Sequence, residues 1–152
     1  YKGGALEADV SLPQLAAAAR DPECLLWIDI QGLTEDEADF LVLTFRFHPL
    51  AIEDCMGDYV QTKREDYDDH MFLSFDAITY SAEEKEYKAI NLNCFLAKSY
   101  IITIEPSCVS EIDGILKNPK HISKMLSNGT DHVLYSIMDK IVDKYFSCLR
   151  YI

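Results

Sequence analysis

The sequence predicts an α/β domain: a mixed sheet with an antiparallel meander, flanked by helices on both faces and ending in the base of a long helix. Three observations point to it. A short apolar run, Leu25-Leu26-Trp27-Ile28-Asp29-Ile30, reads as a strand closed by Gly32. Three β-rich runs follow, Met71 to Tyr80, Tyr87 to Ala97 and Tyr100 to Glu105, with connectors short enough for antiparallel neighbours. Capped patterns at helical spacing surround them, and the last is still running when the sequence stops.

Ser11 opens the first helical pattern. With Gln14 three residues on, it makes a capping box for a helix through Leu15 to Arg20, and Asp21-Pro22 ends it. The run from Leu25 is mostly apolar, as expected of an interior strand covered on both faces, so helices are required on each side of the sheet. Thr34 and Glu37 repeat the capping box, and Phe40, Leu41, Leu43, Thr44 and Phe47 supply an apolar face. His48-Pro49 interrupts that helix. Pro49 then opens a shorter one through Leu50, Ile52 and Met56 to Gly57, carrying Glu53 and Asp54.

Pro106 stops the last strand, and brief helices are expected from Ser110 to Leu116 and from about Pro119 to Leu126. From Thr130 onward, Leu134, Ile137, Met138, Ile141, Val142, Tyr145, Phe146 and Leu149 trace one apolar stripe. The expected organisation is an α/β/α domain over residues 1–129 and the start of a long helix over residues 130–152. No repeat, low-complexity tract or Pro/Gly linker marks a second domain.

A chain of 152 residues, 49% of them hydrophobic, has the length and apolar content for one core. Its 26 acidic and 14 basic residues give a net charge of -12. That balance disfavours nucleic-acid phosphates and anionic lipid surfaces and suits cations or basic partners, although it also serves solubility alone. Cys24, Cys55, Cys94, Cys108 and Cys148 are odd in number, scattered and without a Cys-x-x-Cys pair. They indicate a reducing compartment and small buried side chains in place of disulfides or a thiolate zinc site. No apolar run approaches the roughly 18 residues a membrane helix requires, and Tyr1-Lys2-Gly3-Gly4 lacks the shape of a signal peptide. The chain as given is therefore expected to be soluble. Its uncapped helical pattern at Arg150-Tyr151-Ile152 points to further sequence downstream.

Two pairs of acids are candidates for metal chemistry. Asp139 and Asp143, four residues apart, share a helix face, where like charges oppose one another. No basic residue lies three or four positions from Asp139, whereas Asp143 can reach Lys140. A bound cation would relieve the pair; two solvated acids on a polar face fit the spacing as well. Glu53 and Asp54 diverge by roughly 100° around their helix, so one can bind while the other orients, or both belong to an exposed acidic turn. Separated carboxylates suit Mg²⁺, which keeps several waters.

The acidic run Glu65-Asp66-Tyr67-Asp68-Asp69-His70 lacks calcium-loop spacing and reads as a solvated strand entry. His48, His70, His121 and His132 lack zinc-ligand spacing and read as structural or surface residues. Phosphate-loop, dinucleotide and hydrolase-elbow signatures are absent, so no enzyme is expected.

Trp27-Ile28-Asp29-Ile30-Gln31-Gly32-Leu33, followed by His48-Pro49-Leu50-Ala51-Ile52-Glu53-Asp54, resembles the cytoplasmic domain of CorA-type magnesium and divalent-cation channels. The resemblance continues through Lys63, Glu65 and Tyr67 ahead of the Phe72 strand. It extends over Gly129 to Phe146, which is similar to the start of that family's long stalk helix. It implies a homopentamer on the cytoplasmic face of the inner membrane, reaching the bilayer only through two C-terminal segments and a Gly-Met-Asn pore signature absent from this sequence. It also implies regulatory Mg²⁺ sites between subunits, with Co²⁺, Ni²⁺ or Zn²⁺ as alternative ions. At such sites Glu53 and Asp54 match carboxylates that face stalk acids, of which Asp143 is the matching member. Bound Mg²⁺ would offset the repulsion and hold the closed ring.

Two positions depart from the family pattern. Val60-Gln61-Thr62-Lys63 stands where Gln-Arg-Pro-Lys is common, and Cys55 replaces an aliphatic residue. The readings that compete are a zinc or other transition-metal transporter of the same superfamily, a free-standing acidic domain that recruits a basic protein, and a metal-dependent hydrolase using Asp139 and Asp143.

Overall fold

A computed structural model describes residues 1–58 and 61–150. Val60, part of the departure noted above, and Tyr151 and Ile152, the end of the expected helix, lie outside the described residues. In chain order the elements are α1 (Leu12–Arg20), β1 (Leu26–Gln31), α2 (Glu35–Phe45), α3 (Pro49–Met56), β2 (Lys63–Asp66), β3 (Met71–Ser81), β4 (Glu86–Leu96), β5 (Tyr100–Glu105), α4 (Ser110–Leu116), α5 (Pro119–Asn128) and α6 (Thr130–Leu149).

Local chemistry sets the helix starts. Ser11 with Gln14 and Thr34 with Glu37 form complete capping boxes on α1 and α2. The ring of His48 accepts the Leu50 N–H at 3.2 Å, so this histidine caps α3 while Pro49 sets its first turn. Arg46 takes a left-handed conformation, φ 58°, and lets the chain turn sharply between α2 and α3.

The five strands lie in the order β1-β5-β4-β3-β2. β2 to β5 form an antiparallel meander, and β1 joins parallel to β5, with Leu26 opposite Tyr100 and Gln31 opposite Glu105. β1 is thus an edge strand and not an interior one. Its nearly continuous apolar character comes from cover on both faces: Leu26 and Ile28 join one core, while Leu25 and Trp27 pack against the other. β2 replaces the expected solvated entry; four charged residues carry no apolar signal, yet they suit the exposed edge of a sheet.

Each sheet face carries its own core. One holds α1 to α3 over Phe72, Phe95, Ile102 and Ile104. The other holds α4 to α6 over Leu92, Cys94 and Ile101. On α2 the buried residues are Ala38, Leu41 and Phe45, whereas Leu43 is 81% exposed. Two residues apart on a helix means about 200°, so Leu41 and Leu43 cannot share a face. The stripe on α6 also divides. Val133, Leu134, Ile137, Ile141 and Cys148 are buried, while Met138, Val142, Tyr145, Phe146 and Leu149 are exposed.

Candidate metal centre

Glu53 and Asp54 leave α3 in different directions. Glu53 is exposed and lines a groove between α2 and α3 with Glu35, Asp39 and Met56. Asp54 is half-buried and meets Lys63 of β2 at 2.5 Å. The same ammonium reaches Glu65 at 3.1 Å, and Glu65 accepts the Tyr67 hydroxyl at 3.0 Å. Hydrogen bonding to Asp54, reinforced by Glu65, holds Lys63 above the ordinary lysine range. Asp54 therefore has an orienting cation from its own chain.

Asp139 and Asp143 are exposed on α6. Among the described residues neither carboxylate takes part in an ion pair, and the expected Lys140 partner is not engaged. Instead Lys144, one residue on, lies 3.6 Å from Glu111 of α4. Asp143 lines the groove between α4 and α6 with Ser110, Glu111, Gly114, Lys140 and Lys144, and Asp139 is not among its lining residues.

The sheet separates the two pairs. α3 packs on the Phe95 face and α6 on the Ile101 face, so one chain does not bring Asp54 and Asp143 together. Among the described residues no group of three or more His, Cys, Asp or Glu is placed to hold a metal ion.

The remaining reactive groups have quieter roles. Burial pushes the Cys55 thiol up to about 12 and Cys94 higher still, so neither is a ready thiolate. His70 is buried and stacks on Tyr67 with ring centres 4.7 Å apart. Lys63, which the sequence offers only as part of the family resemblance, is the neighbour that orients Asp54. It lies nine positions from Asp54, and no helical or strand periodicity links a helix end to an edge strand across that distance.

Among the described residues no helix is long and apolar enough to cross a membrane. A family model described as "CorA-like Mg2+ transporter protein" matches residues 23–152. The putative metal ion transporter YfjQ of Bacillus subtilis (strain 168) is 32% identical over 123 residues, covering 79% of this chain and 36% of that protein. The cobalt/magnesium transport protein CorA of Thermotoga maritima is 24% identical over 133 residues, covering 86% of this chain and 38% of that protein. The chain thus spans well under half the length of these curated relatives.

Among solved structures, the soluble domain of CorA from Methanocaldococcus jannaschii shares the fold at TM-score 0.69 and 16% identity, over 95% of this chain and 54% of that one. The ZntB cytoplasmic domain from Vibrio parahaemolyticus does so at TM-score 0.59 and 14% identity, over 82% of this chain and 52% of that one. Because the family model takes in the strand-and-helix core, α3 and the whole of α6, the chain belongs to the CorA-like Mg²⁺ transporter family.

Proposed function

We propose that this chain is the regulatory cytoplasmic domain of a Mg²⁺ channel, sensing intracellular Mg²⁺ at carboxylate sites between subunits. In this reading Glu53 and Asp54 of one subunit face Asp143 of the next, with Asp139 adding negative charge on the same helix side. Mg²⁺ between them offsets the repulsion and stabilises the closed ring. The observation that carries it is the separation of α3 and α6 on opposite sheet faces, which leaves each carboxylate set half a site. Lys63 holds the Asp54 carboxylate in one direction, and because its own charge opposes a second cation there, the reading needs Glu53 and Asp143 to supply the balance.

A homopentamer follows as part of the same proposal. It is supported by the row Tyr135, Met138, Val142, Tyr145 and Leu149, which repeats at three and four residues along α6 and is exposed. Zinc is the competing ion, and the fold shared with a ZntB domain does not distinguish the two. Oxygen donors alone favour Mg²⁺, since zinc prefers imidazole or thiolate. A transporter subunit also accounts for the family match where a hydrolase or a free-standing binding module does not.

The test is electrical. In the full-length protein, replacing Glu53, Asp54 and Asp143 by Ala is expected to weaken inhibition of the current by intracellular Mg²⁺. Unchanged inhibition in a variant of normal assembly overturns the proposal.

A further inference from the structure

Two acids with no part in the proposed metal site meet on the α4–α6 side of the sheet. The parallel register sets Asp29 of β1 opposite Thr103 of β5 and Gln31 opposite Glu105. Side chains alternate along strands, and Ile28, Ile102 and Ile104 belong to the other face, so Asp29, Thr103 and Glu105 share this one. Glu105 is 1% exposed, and neither of its carboxylate oxygens receives a hydrogen bond. Asp29 accepts the Thr103 hydroxyl at 2.6 Å, and that hydroxyl accepts the Trp27 indole N–H at 3.1 Å.

An ionised carboxylate in that position would be buried beside another acid with nothing to stabilise it, the most expensive way to place a charge. A protonated Glu105 has an O–H to give, and Asp29, on the same face of the neighbouring strand and two residues from Gln31, the register partner of Glu105, has acceptor capacity to spare. The surrounding groups oppose ionisation further. From α4, Asp113 adds negative charge toward Asp29, and its own partner is Lys117 at 2.7 Å. From α6, Lys144 is engaged with Glu111. Among the described residues no cation pairs with either acid.

We propose that Asp29 and Glu105 form a built-in proton site: at neutral pH Glu105 keeps a proton that it donates to the Asp29 carboxylate, and losing it at alkaline pH loosens α4 from the β1–β5 edge. Burial, and then the charge on Asp29, push Glu105 up to about 9, in the direction the geometry requires. The site is independent of the Glu53, Asp54 and Asp143 reading, so either can fail without the other.

The test is a pH titration of the 152-residue chain carrying ¹³C-labelled Asp and Glu carboxyls, followed by NMR. One carboxyl is expected to titrate with a midpoint well above 7 and to vanish in Glu105→Gln. Amide exchange in α4, corrected for its intrinsic pH dependence, should rise several-fold between pH 7 and 10 in the wild type and stay flat in the variant. If Glu105→Gln does not fold, the wild-type midpoint still decides. Titration of every carboxyl below pH 6 overturns the proposal, as does a high midpoint that persists in Glu105→Gln. A midpoint that drops on adding Mg²⁺ overturns it in favour of a cation.

Discussion

The two faces of the sheet solve the same packing problem with different chemistry. Under α1 to α3 the core is aromatic: Phe47 stacks on Phe95 at 3.9 Å and on Phe45 at 5.5 Å. Under α4 to α6 it is aliphatic, built on Ile101, Ile112, Ile115, Leu126 and Ile137. The acids differ in the same way. On the first side Asp54 is held by Lys63, and Lys63 by Glu65. On the second, Asp139 and Asp143 stand unpaired among the described residues, next to an exposed apolar row on α6. One side presents an oriented carboxylate, and the other presents exposed carboxylates that no cation of the described residues pairs. The proposed site between subunits would draw on both.

The largest effects test whether the two cores form one unit. Phe95→Ala, at a fully buried position, should lower stability by about 3–5 kcal/mol, and Ile137→Ala on the opposite face by about 2–5 kcal/mol. Both should unfold in a single denaturant transition. Two resolved steps in either variant would show that the faces are separable.

The next effect is the pH dependence that Glu105 confers. Its carboxyl is raised from 4.5 to about 9, so the folded state keeps a proton that the unfolded chain has released. The contribution of Glu105 to stability is then greatest below about pH 4.5 and falls as pH rises toward 9, by at most about 1.4 kcal/mol per pH unit. In denaturation curves between pH 5 and 8, Glu105→Gln should flatten that slope. Removing the α2 cap with Thr34→Ala should lower the melting midpoint through a loss of about 1 kcal/mol. Asp54→Asn is the smallest, below about 1 kcal/mol, because the Lys63 pair is about one-third exposed. A larger loss would make the pair a structural clamp and weaken its claim to be a ligand held ready.

Much of the fold is legible because it rests on local chemistry. The capping boxes at Ser11 and Thr34, Pro49 at a helix start and the β-rich runs from Met71 to Glu105 each carry their signal within a few residues. What is not legible depends on partners distant in sequence. Nothing near Leu25 reveals that β1 takes the sheet edge beside β5, and four charged residues give no hint that β2 pairs with β3. On α6 the sequence carries one broad apolar stripe, and only the packing of Ile137 and Ile141 against the sheet shows which half remains uncovered.

The site follows the same rule. The acids at 53, 54, 139 and 143 are visible in the sequence, and the pairing of Asp54 with Lys63 is visible only in three dimensions. Glu105 and Asp29 did leave a trace: each is a lone acid in an apolar strand, alternating onto one face with Trp27 and Thr103.

The proposed division of ligands between sheet faces is tested most directly by titrating Mg²⁺ calorimetrically into the 152-residue chain, held at a concentration where it is shown to be monomeric, and into the assembled full-length protein. Saturable binding is expected only in the assembly, and Asp54→Asn or Asp143→Asn should each abolish it. Saturable binding to the monomer that Asp54→Asn removes would place the whole site within one chain and contradict this account.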